Sequence, residues 1–206
     1  LAILPAGSLV GLCLSLAIIQ PLTQRFDKRP LLIGSALLTI VNINLPIVLE
    51  LANVSWFPER GSSLLMAVLV ASAFVTGALV PVIYASLNSM FADITDEHEL
   101  EIGERREGVI FAARAFAVKA TASMGLILGG ILLDVIEFPR GALMGAVPDD
   151  IVWQLGFIVG PATSVFTIFG VLLYAGYRID RQRHAEILAE LQVKHEAIRT
   201  ANEQNL

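Results

Sequence analysis

The chain has 206 residues, of which 55% are hydrophobic and only 16% charged, whereas a soluble domain carries about a quarter charged residues. That composition argues against a water-soluble fold and excludes a disordered chain, which needs low hydrophobicity and high charge. A net charge of −5 with no basic face speaks against a nucleic-acid binder, and a single cysteine, Cys13, excludes a disulfide framework or a cysteine-cluster metal site.

The chain opens inside an apolar run, without Met and without a basic leader, and so reads as the interior of a longer protein rather than a signal peptide. A hydrocarbon core about 30 Å thick takes about 20 helical residues. Runs poor in charge meet that length at 1–19, 31–51, 61–87, 108–133 and 151–177. The expected fold is therefore all-α and polytopic, with a membrane part over 1–178 and a polar tail over 179–206.

Basic residues in the connections set an orientation. The first connection carries Arg25, Lys28 and Arg29, the third Arg105 and Arg106, and the tail five more; the second and fourth hold only Arg60 and Arg140. Ten against two predicts a cytoplasmic tail, with Leu1 on the other side after five spans. A protein with both ends inside would then need an odd number of helices upstream. Trp56, Phe57 and Trp153 fall near the outer boundary, and Tyr174 and Tyr177 near the inner one, as an aromatic belt does. In the tail, His184, Ile187, Leu188, Leu191 and Ile198 share one helical stripe. That pattern predicts an amphipathic helix lying on the membrane or on its own protein.

The fourth span carries the two charges that need explaining. Counted from Gly108, Arg114 lies about 9 Å along the helix and Lys119 about 17 Å. Arg114 can snorkel to the interface, whereas Lys119 near mid-membrane cannot easily do so. An intramembrane cation persists mainly where it faces a wet cavity or a partner. Ala113, Ala117, Thr121, Gly125 and Gly129 recur every four residues and predict a close helix–helix contact. Lys119 points away from that stripe, with Phe116 and Ser123 on its side. Two readings stay open: a midplane substrate or cation site, and a structural ion pair.

Between Asp93 and Glu107 seven of fifteen residues are acidic. Asp96 with Glu99 predicts a capping box opening a short helix that Gly103 ends. Three functions fit this segment. It can be a solvated loop. It can be one half of an aspartate-rich Mg²⁺–diphosphate site of a membrane prenyltransferase, using the Asp93–Glu99 carboxylates and lacking the second cluster such enzymes need. Or Asp93 or Asp96 can pair with Arg25, Lys28 and Arg29, or with a basic cluster in an absent half, as a gate that breaks when the protein changes conformation.

Ala92-Asp93-Ile94-x-Asp96-x-x-Glu99, then Gly103-x-x-Arg106-Glu107-Gly108, then Phe116 and Lys119, resembles the loop between helices ten and eleven of the glycoside–pentoside–hexuronide:cation symporters. These form the melibiose-permease branch of the major facilitator superfamily. The segment Tyr177–Ile187 resembles that family's tail, and Gln20–Arg29 is similar to the superfamily's basic loop between helices eight and nine. Gln20, Gln24 and Asp27 stand there where Gly, Asp and Gly are usual. The resemblance implies helices 8–12 of a twelve-helix transporter, with no enzymatic activity. It implies Lys119, Phe116 and Ser123 in a central cavity, and a cytoplasmic gate drawn from Asp93, Asp96, Arg106, Glu107, Arg25 and Arg29. It further implies alternating-access symport of a sugar with Na⁺ or H⁺. The cation-binding acids would sit mainly in an N-terminal half that partners this one within a bacterial inner membrane. No other cofactor is implied. Lysolipid carriers share the fold and a similar lysine, so an amphiphile remains a second substrate class.

Overall fold

The structure, a computed structural model, describes residues 3–142 and 146–204; Leu1, invoked above for orientation, and the side chain of Ile198 lie outside the described residues. Helix α1 spans Ile3–Arg25, α2 Lys28–Leu51, α3 Ser63–Ile102 and α4 Glu107–Val135. The fifth apolar segment is built in pieces: α5 (Asp149–Phe157), a π turn (Ile158–Ala162), α6 (Thr163–Leu173) and a 3₁₀ turn (Tyr174–Gly176). Helix α7 covers Arg181–Gln204. Among the described residues there is no strand, and five helical segments are long and apolar enough to cross a membrane.

Helix α3 departs from expectation. Its 40 residues measure about 60 Å, twice the hydrocarbon thickness. The acidic segment is therefore neither a loop nor a separate capped helix. Nothing between Pro81 and Gly103 breaks a helix, so the backbone continues past the point where the apolar run ends. Asp96 and Glu99 lie within that continuous helix and form no capping box. The expected stop does occur at Gly103, which takes φ 85° and donates its N–H to the Glu99 carbonyl at 2.8 Å.

The bundle is a row in which α1 packs on α3, α3 on α2, and α2 on the fifth segment. Gly7, Gly11 and Ser15 recur every four residues on α1 and are buried. A side-chain carbon on Gly11 would collide with the Phe74 carbonyl, and one on Gly77 with the Ser8 carbonyl. Small residues thus let two backbones touch, which replaces the hydrophobic drive that lipid does not supply. Side-chain hydrogen bonds join the other pairs. The Asn42 amide donates to the Ser72 carbonyl at 2.9 Å and the Thr76 hydroxyl at 3.0 Å, and the Asn44 amide to Ser164 Oγ at 2.7 Å. In the π turn around Pro161, Thr163 and Ser164 hydroxyls donate to the Ile158 and Gly160 carbonyls, so the irregular backbone keeps its bonds.

Among the described residues helix α4 buries none and meets the bundle mainly near its junction with α3, where the Arg114 guanidinium lies 4.9 Å over the Phe91 ring. The stripe expected to pack closely has no neighbour among the described residues, since Gly125 and Gly129 face open space. The close glycine contact falls on α1 and α3 instead. The tail resolves the other way: Ile187 and Leu191 are buried with Ile179 against Leu100 and Tyr177. Helix α7 lies on its own protein, across the extension of α3. Leu188, from the expected stripe, stays 41% exposed.

Candidate functional site

Three elements converge where α3 leaves the apolar region. Helix α2 begins at Lys28, α3 carries Asp93 about two and a half turns before its end, and the linker and first turn of α7 bring Tyr177 and His184. Asp93 is 2% exposed. Lys28 Nζ donates to both of its carboxylate oxygens at 2.7 Å, the Tyr177 hydroxyl donates to Oδ2, and His184 Nε2 lies 3.2 Å from Oδ1. A buried carboxylate is costly unless paired and hydrogen-bonded, and this one has three partners from outside its own helix. Burial and the bond to Asp93 push the Tyr177 hydroxyl above the ordinary phenol range, which keeps it a neutral donor.

One and two turns further along α3 the pattern repeats. His184 Nε2 is also 3.5 Å from Asp96, and His195 Nε2 is 2.7 Å from Glu99. Arg105, just past the Gly103 stop, reaches back to Asp96 at 3.2 Å and Glu99 at 3.0 Å. Arg181 fastens the start of α7 to the end of α1. Its guanidinium donates to the carbonyls of Thr23, Gln24 and Phe26 and pairs with Asp27 at 2.8 Å. A cation there supplies the donors that a helix C-terminus lacks. Asp180 in turn caps α7 by accepting from the Arg183 N–H at 2.8 Å.

The residues singled out in the sequence fare differently. Asp93 and Asp96 enter the cluster, but the basic partner of Asp93 is Lys28 rather than Arg25 or Arg29. Arg29 donates a 3.4 Å bond to the Tyr177 carbonyl, and Arg25 has no ion pair among the described residues. Arg106 pairs with Glu104 at 2.8 Å and Glu107 with Arg105 at 3.1 Å, both local contacts. Phe116, Lys119 and Ser123 share one exposed side of α4, with Ser123 Oγ donating to the Lys119 carbonyl at 3.0 Å. They meet no other element among the described residues. Nor do any three His, Cys, Asp or Glu among those residues form a metal-holding group.

Sequence reasoning missed Tyr177, His184, His195, Arg105 and Arg181 as participants in this cluster. One signal was present: continuing the tail stripe from His184 through Ile187 and Leu191 by four residues reaches His195. The Arg181 cap had none, because it depends on where α1 ends in space.

A family model described as MFS/sugar transport protein matches residues 1–181. The chain is similar to an uncharacterized symporter, sll1374, of Synechocystis sp., with 31% identity over 144 residues, 68% of this chain and 26% of that protein. The chain thus spans about a quarter of the length of that relative. No solved structure matches it. The match runs through all five apolar helices and the acidic end of α3, and it sets aside the prenyltransferase reading. The chain belongs to the MFS/sugar transport family.

Proposed function

We propose that the chain is part of a cation-coupled symporter that carries a sugar or glycoside by alternating access, with Na⁺ or H⁺ as the coupling ion. Asp93 supports this reading most strongly. A buried carboxylate joins the start of α2, α3 and the tail through one ion pair and short polar contacts, which can form or break as a unit. On this reading the cluster is a cytoplasmic gate and the tail is cytoplasmic. The ion pair holds the inward side closed in one state and parts in the other. The exposed side of α4 with Phe116, Lys119 and Ser123 then faces further helices of a longer transporter across a wet central cavity. There the ammonium offers donors to substrate oxygens or shapes the cation site nearby.

The test is uptake of labelled sugars into inner-membrane vesicles that hold the intact transporter, with Na⁺ or H⁺ gradients imposed separately. Uptake should follow one gradient and collapse with it. Lys119→Met should abolish gradient-driven uptake and leave membrane insertion intact. Uptake that ignores both gradients contradicts symport, and a fully coupled Lys119→Met variant contradicts the role of the lysine. Uptake of lysolipid in place of sugar would favour the amphiphile carrier.

A further inference from the structure

A cavity of about 620 Å³ lies between the first turn of α2 and the linker from Tyr177 to Arg181. Four cations line it: Lys28, Arg29, Arg178 and Arg181. Two of them are already engaged, Lys28 with Asp93 and Arg181 with Asp27 and the carbonyls that end α1. The other two have no carboxylate partner among the described residues. Arg29 makes one 3.4 Å bond to a backbone carbonyl, and Arg178 is exposed. Of the two acids in the lining, Asp27 holds Arg181 and Asp180 caps α7. Among the described residues the site therefore presents two guanidiniums without a carboxylate partner, and both lining acids are already engaged.

The remaining wall is apolar and runs toward the membrane. Ile33 and Gly34 belong to the second turn of α2, on the side facing the cavity, and nothing within 4 Å would meet a side-chain carbon on Gly34. The cavity thus opens along α2 into the region of the apolar span, next to the 3₁₀ turn that ends the fifth segment. A site that combines two guanidiniums with an apolar strip along α2 matches a molecule with a phosphate head and an acyl chain. Guanidinium forks fit phosphate oxygens in bidentate fashion, and basic pockets between membrane helices favour anionic headgroups.

We propose that this cavity binds an anionic phospholipid, its phosphodiester held between Arg29 and Arg178 and one acyl chain lying along Ile33 and Gly34. The lipid would bridge the α2 end to the tail linker beside the Asp93 cluster, so its binding also braces that junction.

The experiment uses the protein purified in an uncharged detergent, probed with phosphatidylglycerol, with phosphatidylcholine of the same chains, and with inorganic phosphate alone. Lipid retention is read by native mass spectrometry. Phosphatidylglycerol should be retained on the order of tenfold more tightly than phosphatidylcholine, and an Arg29→Gln/Arg178→Gln double variant should lose that preference. Arg178→Gln alone should lose part of it. Arg25→Gln removes the same charge from the same end but outside the cavity, and should keep the preference. Lipid-free thermal midpoints of the variants should match the parent protein, which separates lost binding from lost folding. The proposal is overturned by equal preference in the double variant, by an equal loss in Arg25→Gln, or by saturable binding of inorganic phosphate without lipid preference.

Discussion

Asp93 and Lys28 stand 65 residues apart in the chain and meet through both carboxylate oxygens at 2.7 Å, with Asp93 2% exposed and Lys28 29% exposed. The pair is asymmetric. Removing Lys28 leaves a buried carboxylate without its ammonium, whereas removing Asp93 leaves Lys28 able to reach water and His184 still beside Asp96. Lys28→Ala should therefore cost more than Asp93→Ala, about 3–5 kcal/mol against about 1–3 kcal/mol. Denaturant titrations in mixed micelles should give that order, and equal costs would contradict it.

Tyr177 gives the cluster a pH dependence. Its folded-state hydroxyl is raised above the unfolded value, first by burial and then by the bond to Asp93. A raised group stabilises the fold fully below its unfolded pKa, about 10 for tyrosine, and that contribution fades as pH climbs through the folded value. The tail should loosen in strong alkali and be indifferent to this residue at neutral pH. Ultraviolet difference titration should find Tyr177 ionising later than a free tyrosine, and Tyr177→Phe should remove that late step.

The seam between α1 and α3 tolerates no side chain at Gly11 or Gly77. Gly11→Leu forces two backbones apart and should cost at least about 1–3 kcal/mol. Gly170 on α6 faces open space, so Gly170→Ala should be neutral or slightly stabilising within this bundle. Thermal midpoints of the two variants in the same detergent decide the matter.

Arg181 ties the tail to α1 through three carbonyls. Arg181→Ala should fray the last turn of α1 and free the start of α7, at about 1–3 kcal/mol. Hydrogen exchange should speed up at residues 22–26 and 181–188 together. Faster exchange in only one of the two segments would show that the cap does not couple them.

The legibility of these features in the sequence divides along physical lines. Lipid demands long apolar helices, so the five spans could be read from runs without charge, and Gly103 could be read as a stop because only a left-handed residue ends the helix there. Hydropathy, though, marks where the membrane ends and not where a helix ends, which is why the sequence predicts a connection with its own short capped helix where α3 in fact continues. Acids on that extension looked solvated because their partners come from α2 and α7. Proximity in space, not spacing in sequence, chose Lys28 over Arg25 and Arg29 and placed Arg181 beneath α1. The small-residue stripes on α1 and α4 look alike in sequence; among the described residues only the first has a partner.

The gate is tested most directly by exchanging its charges in the intact transporter and measuring coupled uptake. Asp93→Lys and Lys28→Asp should each lower uptake by about tenfold or more, and the two together should recover a substantial part of it, because the ion pair is re-formed with its sign reversed. Normal uptake in both single variants, or a well-folded double variant with no recovery, would contradict the gate.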